Sequence, residues 1–130
     1  MSAPAPSDAG LLLLAHGSRD PLWRGPTEAL AARLRQMQPG LAVACAYLDL
    51  CPPDPSAAAA ALVQSGARRI RIAPLFLGLG KHAREDLPRL SEDLRLAHPE
   101  VEFELIPSLG ESSQWLEAAA HWALGAGSGL

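Results

Sequence analysis

Four short apolar runs recur along the chain, and segments in which apolar residues have helical spacing separate them. Apolar runs of this length, bounded by glycine-containing and polar segments, are typical of buried strands. The predicted strands cover residues 11–15, 41–50, 69–77 and 101–106. Strands that alternate with helices in this way predict an α/β domain with a parallel sheet.

Apolar spacing and end signals predict four helices between and after these strands. In the second helix, Asp54 stands at the N-cap, Pro55 at the first helical position and Gly66 just past the end. The first helix should pack through Leu30, Leu34 and Met37, and the third through Leu87, Leu90, Leu94 and Ala97. The fourth helix should begin at about Ser112 and present Trp115, Leu116, Ala119 and Trp122.

Pro88 limits where the third helix can begin, because proline has no N–H donor and clashes with the preceding turn inside a helix. We therefore predict that this helix starts near Asp86. Residues 78–85 would then form a loop or an irregular first turn.

The order of the elements also predicts the order of the strands. Strands joined by single helices run parallel, and right-handed crossovers favour a four-stranded sheet in the order 2-1-3-4 with helices on both faces. Ligands bind such sheets beyond the carboxyl ends of the strands. His16 follows strand 1, Asp49 closes strand 2 and His82 follows strand 3. Because neighbouring strands lie about 4.8 Å apart, we expect these three side chains to converge.

The length of 130 residues favours one domain, which we place at residues 10–125 between flexible tails at 1–9 and 126–130. The net charge of −3 argues against a broad nucleic-acid surface. No apolar run reaches the about 20 residues that a bilayer span needs. The two cysteines, Cys45 and Cys51, have neither zinc-ribbon nor redox spacing. We expect a cytoplasmic protein without nucleic-acid or membrane partners.

Two imidazoles and one carboxylate are a ligand set for a divalent transition metal, since neutral histidine favours iron, cobalt, nickel, copper or zinc over magnesium or calcium. Three protein ligands would leave coordination positions open, so the metal could be passed on. A histidine that follows a strand is alternatively a capped or solvated loop residue, and Cys51 is a further possible soft ligand.

Other chemistries fit the sequence less well. Residues 78–83 match a dinucleotide-binding glycine pattern, but they follow the third strand and the chain has no room for a substrate domain. A P-loop would need glycine at Leu75 and serine or threonine at His82. A phosphohistidine enzyme would need an arginine where Ala15 precedes His16. A phosphate-ester enzyme therefore remains only a minor alternative.

Three motifs together carry a family resemblance. The stretches AHGSRD after strand 1, AYLDL at the end of strand 2 and PLFLGLGKHAREDLP after strand 3 resemble the small class II chelatases of the CbiX/SirB type. This resemblance implies a chelatase-like three-layer domain that inserts Co²⁺, Fe²⁺ or in some cases Ni²⁺ into sirohydrochlorin, for cobalamin or siroheme synthesis. The metal would be a substrate, and no prosthetic group is expected.

The resemblance also assigns roles to residues. His16 and His82 match the metal-binding and catalytic histidines of the family, and Asp49 stands where glutamate is usual. We expect Leu75, Phe76, Leu77 and Leu79 to form an apolar wall for the macrocycle, and Gly78 to be a further substrate-binding residue. Basic and polar groups for its carboxylates would be Ser18, Arg19, Lys81 and Arg84. Ser18 could instead cap the first helix, and the charged groups could simply be solvated.

The resemblance also bears on assembly. A single half of a two-domain chelatase predicts a homodimer, because a second copy would supply the other wall of the substrate cleft. The alternative function is a non-catalytic protein that carries metal or tetrapyrrole and delivers it to a separate enzyme.

Overall fold

Ten helices and strands follow one another in residues 8–125, the part of the chain that the structure, a computed structural model, describes. In chain order they are β1 (Ala9–Ala15), the 3-10 helix η1 (Pro21–Arg24), α1 (Gly25–Met37), β2 (Ala42–Tyr47), α2 (Pro55–Gln64), β3 (Arg69–Pro74), α3 (Lys81–Ala97), β4 (Glu102–Leu105), the 3-10 helix η2 (Leu109–Glu111) and α4 (Ser113–Leu124).

The four strands form one parallel sheet in the order β2-β1-β3-β4, which confirms the predicted topology. Near the carboxyl ends, Leu14 of β1 lies opposite Ala46 of β2 and Pro74 of β3. The loops that follow β1, β2 and β3 therefore meet at one edge of the sheet. We call this edge the rim; it comprises residues 16–20, 48–51 and 75–84.

Helices pack on both faces of the sheet. On one face, α2 and α3 enclose the larger core, which includes Leu12, Leu14 and Ile72. On the other face, α1 packs over β1 and β2 around Leu13. Leu12, Leu13 and Leu14 are at most 2% exposed, since the central strand is covered on both sides. Burial on both faces explains why β1 reads as a continuous apolar run instead of an alternating one.

The structure confirms the end signals of α2. The Asp54 carboxylate accepts a hydrogen bond from the Ala57 N–H at 2.8 Å, and Pro55 occupies the first helical position. Gly66 follows the end of the helix with φ +107°, a conformation that favours glycine. The prediction that the fourth helix begins near Ser112 is also confirmed, since Ser112 is the N-cap of α4.

The predicted packing face of α1 is only partly correct. Thr27 and Ala31 are the buried residues, and Leu34 packs beside them. Leu30 and Met37 are exposed instead. The small Ala31 side chain lets the helix approach the sheet closely, so the contact is centred on it and not on the longer side chains nearby.

The predicted start of α3 near Asp86 is wrong, because the helix begins at Lys81 with Gly80 as its N-cap. The Arg84 N–H donates to the Gly80 carbonyl at 3.1 Å, so the first turn is already formed there. Pro88 lies inside the helix. The apolar face that contains Leu87 and Leu94 is buried in the larger core, and this burial outweighs the hydrogen bond that proline cannot donate.

Some predicted boundaries shift by a few residues. β2 ends at Tyr47 and β3 at Pro74, so Asp49 follows its strand and does not close it. Ala9, which we assigned to the amino-terminal tail, begins β1. Residues 1–7 and 126–130 of the predicted tails lie outside the described residues.

The last helix differs from the other three. Within residues 8–125, the only substantial contact of α4 with another element is with η2, and none of its residues is buried. Trp122 is 83% exposed and Leu116 is 59% exposed. In the described part of the chain, no helix combines the length and apolar character needed to cross a bilayer.

Candidate functional site

His16 is the first residue after β1 and its side chain is exposed at the rim. Its carbonyl accepts a hydrogen bond from the Asp49 N–H at 2.9 Å, which joins the loops that follow β1 and β2. The imidazole packs against the ring of Phe76 in an edge-to-face arrangement, with 4.6 Å between the ring centroids. His16 thus contacts residues from the loops after β2 and β3.

Gly17 explains why glycine follows this histidine. Its φ of +102° lies in the left-handed region. A Cβ atom at this position would lie 1.8 Å from the Asp49 carbonyl oxygen. Any other residue would therefore push the β2 loop away from His16.

The backbone N–H of Asp49 is hydrogen-bonded to His16, but the Asp49 carboxylate accepts a hydrogen bond from within its own loop. Its Oδ1 accepts from the Leu50 N–H at 2.8 Å, and its carbonyl accepts from the Cys51 N–H at 2.9 Å. Leu50 has a positive φ of 71°, so this is a tight turn. In the described residues the carboxylate forms no hydrogen bond or ion pair with an imidazole, and its expected role in orienting one stays a prediction.

His82 lies in the first turn of α3, where we expected either a loop or an irregular first turn, and its side chain is exposed. Among residues 8–125, no three His, Cys, Asp or Glu side chains are close enough together to hold a metal ion. The expected three-ligand site of His16, Asp49 and His82 is therefore not preassembled. The three side chains share the rim, but each is exposed and none is bonded to another.

The residues expected to bind the macrocycle also lie at the rim. Leu77, Gly78, Arg19 and Lys81 are all exposed. Arg84 donates to the Leu79 carbonyl at 3.2 Å, so its guanidinium already has one partner. The exposed side chains on this edge can therefore meet a ligand without rearrangement of the core.

The alternative that Ser18 caps the first helix is wrong. Its Oγ accepts from the Asp20 N–H at 3.1 Å, within the loop. Asp20 is the residue that caps η1, by accepting from the Leu22 N–H at 3.0 Å.

The expected apolar wall is smaller than the sequence suggested. Phe76 is only 5% exposed, and Leu75 and Leu79 pack against the two core clusters. Only Leu77 is open to solvent, at 61%. Alternation along the chain after β3 turns the other apolar side chains inward.

Neutral groups lie beneath the rim. Burial raises the pKa of the Tyr47 hydroxyl, so it stays protonated, and its ring packs edge-to-face against Trp23 at 6.2 Å. Burial likewise raises the pKa of the Cys45 thiol. Trp23 therefore packs against the end of β2 at the entrance to the first helix.

We did not predict from the sequence that residues 108–111, which follow β4, support the loop after β3. Ser108 is buried and bonds to the backbone of Phe76, and Gly110 lies against the carbonyl of Leu77. The Glu111 carboxylate accepts from the Ser108 N–H at 2.9 Å. The Ser-x-x-Glu spacing was the available signal, because it is typical of a capping box.

The fold and the rim define a class of protein: a single-domain α/β protein with sheet order 2-1-3-4 and one histidine after each of its two central strands. The model of the CbiX family matches residues 10–122, and the chain belongs to that family.

Relatives and solved structures agree with this assignment. Sirohydrochlorin cobaltochelatase of Saccharolobus solfataricus is 31% identical over 107 residues, which cover 78% of this chain and 82% of that protein. The same-named protein of Methanopyrus kandleri is 31% identical over 80 residues, and the match covers 62% of this chain and 56% of that protein. The chain thus matches only slightly more than half of that relative's length.

Two solved structures share the fold. The crystal structure of a cobalamin biosynthesis CbiX protein from Marinobacter aquaeolei superposes with a TM-score of 0.74 and 29% identity, over 86% of this chain and 91% of that one. SirB from Bacillus subtilis with Fe³⁺ has a TM-score of 0.76 and 22% identity, over 92% of this chain but 48% of that one. The SirB chain is therefore about twice as long as the matched domain.

Proposed function

We propose that this protein is a metal chelatase that inserts a divalent ion, Co²⁺ or Fe²⁺ with Ni²⁺ as a further candidate, into sirohydrochlorin. The observation that carries the proposal is the exposed His16 imidazole, held between the loops of β2 and β3, in a chain that the CbiX family model matches over residues 10–122. The names of the relatives supply the substrate and cobalt, and SirB from Bacillus subtilis was solved with Fe³⁺. Nickel comes from the family resemblance alone.

The reaction replaces two pyrrole N–H protons with one divalent ion, so two protons must leave the macrocycle. His16 and His82 would hold the incoming ion as neutral imidazoles, and either one, once released, could accept a pyrrole proton. A neutral imidazole is suited to both tasks, because its free nitrogen can bind a transition metal or accept a proton. Asp49 would balance charge or orient an imidazole after the substrate binds.

A metal that is held by two imidazoles can be passed on instead of retained. Two imidazoles hold an ion less firmly than a closed four-ligand site does. The macrocycle would complete the coordination from its own nitrogens. Its carboxylates would meet Ser18, Arg19, Lys81 and Arg84, and its face would lie on Leu77 and Gly78.

An absorbance assay of sirohydrochlorin with Co²⁺, Fe²⁺ or Ni²⁺ tests the proposal. Catalytic amounts of the protein should accelerate insertion above the uncatalysed rate. His16→Ala and His82→Ala should each lose at least about 100-fold in kcat, the contribution expected of a positioned acid–base group. His98→Ala is the matched control, since His98 ends α3 and packs on Phe103.

The alternative, a carrier of metal or tetrapyrrole, gives a different result in the same assay. A carrier would form a stoichiometric complex without turnover. Retained turnover in either histidine variant would remove that residue from the mechanism. We would assign as the substrate the metal for which kcat/KM is largest relative to the rate constant of uncatalysed insertion.

We also propose that the protein acts in the cytoplasm as a homodimer joined through α4. The exposed Trp122 and Leu116 support this, since a helix of a folded monomer normally buries its apolar face. The sheet also has an exposed face, on which β3 and β4 carry the charged side chains of Arg69, Arg71, Glu102 and Glu104. α1 covers only β1 and β2 on its face of the sheet, and no helix in the described residues packs substantially on β3 and β4 there. A groove of about 810 Å³ that includes Leu11 and Arg71 lies on this face.

A second copy would cover both surfaces, because residues 8–125 leave α4 and one face of β3 and β4 exposed. Parallel sheets are normally covered on both faces. Reciprocal docking of α4 from one protomer onto the sheet of its partner would cover both and close the pair with two-fold symmetry.

Sedimentation velocity of Trp122→Glu tests the dimer. The wild type should sediment as a dimer, and the variant as a folded monomer. Leu96→Glu is the control, because Leu96 is also an exposed leucine, 72% open, but lies on α3. A monomeric wild type, or equal dissociation of both variants, would contradict docking through α4.

A further inference from the structure

Ser108 links the end of β4 to the loop that follows β3. Its side chain is 2% exposed. The Oγ donates to the Phe76 carbonyl at 2.6 Å and accepts from the Phe76 N–H at 3.2 Å. The Pro74 carbonyl lies 3.2 Å from the same Oγ. One buried hydroxyl therefore binds both backbone groups of Phe76.

The neighbours of Ser108 hold the same loop. The Gly110 N–H donates to the Phe76 carbonyl at 2.9 Å. A Cβ on Gly110 would lie 1.7 Å from the Leu77 carbonyl oxygen, so η2 and this loop are in direct backbone contact. Glu111 fixes Ser108 in turn, by accepting from its N–H at 2.9 Å. The backbone of Phe76 thus has little freedom to move.

The ring of Phe76 is the side-chain partner of His16. The centroids are 4.6 Å apart and the planes meet at 62°. Within residues 8–125, neither nitrogen of the His16 ring has a hydrogen-bond partner, so this aromatic contact is what orients the imidazole before any ligand binds. Edge-to-face pairs of this kind contribute to stability through a defined geometry.

We propose that Ser108 is a positioning residue for His16, acting through Phe76. The inference rests on the proposed chelatase function only for its kinetic consequence. A ligand and base that is displaced by about 1 Å can lose about 100-fold in rate, so the orientation of an otherwise unbonded imidazole matters. Ser108 itself touches neither the metal nor the macrocycle in this proposal.

The first test uses NMR spectra of the metal-free protein with isotope-labelled histidine. The Phe76 ring current shifts the His16 ring protons, so their chemical shifts report the contact directly. Ser108→Ala and Phe76→Leu should both move the His16 signals toward those of an unstacked histidine. Ser91→Ala is the matched control, because Ser91 is also 2% exposed but its Oγ has no hydrogen-bond partner in the described residues.

The kinetic test compares the same variants in the metal-insertion assay. Ser108→Ala should lower kcat by about 10-fold with little change in KM, since the imidazole is misplaced while the rim residues that bind substrate remain. Ser91→Ala should leave kcat unchanged. A loss of kcat in Ser108→Ala without movement of the His16 signals would overturn the positioning role.

A second pair of variants covers the case in which Ser108→Ala does not fold. Glu111→Gln keeps an oxygen that can accept from the Ser108 N–H, whereas Glu111→Ala does not. The His16 signals should move in Glu111→Ala and stay near the wild-type positions in Glu111→Gln. Equal spectra for the two would contradict the proposal.

If the wild type proves inactive as a chelatase, the proposed function fails, and the spectra still decide the positioning role.

Discussion

The environment of His16 is set by residues that carry no reactive group. Gly17 lets the β2 loop approach, and Phe76 holds the imidazole. The sequence pointed to His16, because it directly follows a buried strand in the AHGSRD motif. It could not show why glycine is needed, since the constraint comes from Asp49, which lies in another loop.

Gly17→Ala should therefore destabilise the protein by more than about 3 kcal/mol, because the new Cβ meets a backbone oxygen and the φ is strained. Gly66→Ala is the control. Gly66 has a similar φ of +107° with no atom within 4 Å of an added Cβ, so it should cost only the strain, about 1–2 kcal/mol. Urea unfolding of both variants measures the difference, and equal losses would show that the close approach to Asp49 is unimportant.

The partly buried thiol of Cys45 gives a pH-dependent prediction. Burial raises its pKa above the ordinary 9.0, so the folded state favours the protonated thiol. As the pH rises through that value, the unfolded chain releases its proton first and the folded state loses stability. Cys45→Ala should show a smaller loss of unfolding free energy between about pH 8 and pH 10 than the wild type does. An identical decline in both proteins would contradict the assignment.

Among the elements, α3 shows how packing outweighs a local signal. Proline disfavours a helix interior because one hydrogen bond is lost, and the sequence therefore predicted a later start. Burial of the Leu87 and Leu94 face extends the helix back to Lys81. His82 consequently lies on a regular element, which fixes its backbone more firmly than a loop would.

Replacing this proline should stabilise the protein. Pro88→Ala restores an N–H that can donate to the Arg84 carbonyl and removes the ring clash, so the unfolding free energy should rise by about 1–3 kcal/mol. The neighbouring exposed residue Arg89 provides the control, since Arg89→Ala should change stability by less than about 0.5 kcal/mol. Thermal unfolding of the two variants checks this, and a destabilised Pro88→Ala would mean that the proline has a packing role.

At the scale of the whole molecule, β1 and β3 are neighbours in one chain, so His16 and His82 of the same chain face the same rim. An equimolar mixture of His16→Ala and His82→Ala should consequently remain inactive in the metal-insertion assay, even when the variants exchange subunits. Recovery of activity on mixing would show that the two histidines of a site come from different protomers.

The sequence by itself determined the order of helices and strands, the parallel sheet in the order 2-1-3-4 and His16 at its edge. These depend on local periodicity, on cap and turn residues and on the handedness of crossovers, which are all readable along the chain. Only the tertiary structure decided that the Phe76 ring packs against His16, that Ser108 holds the Phe76 backbone, and that α4 is exposed. The reason is physical: these features are contacts between residues far apart in the chain, and their geometry follows from packing.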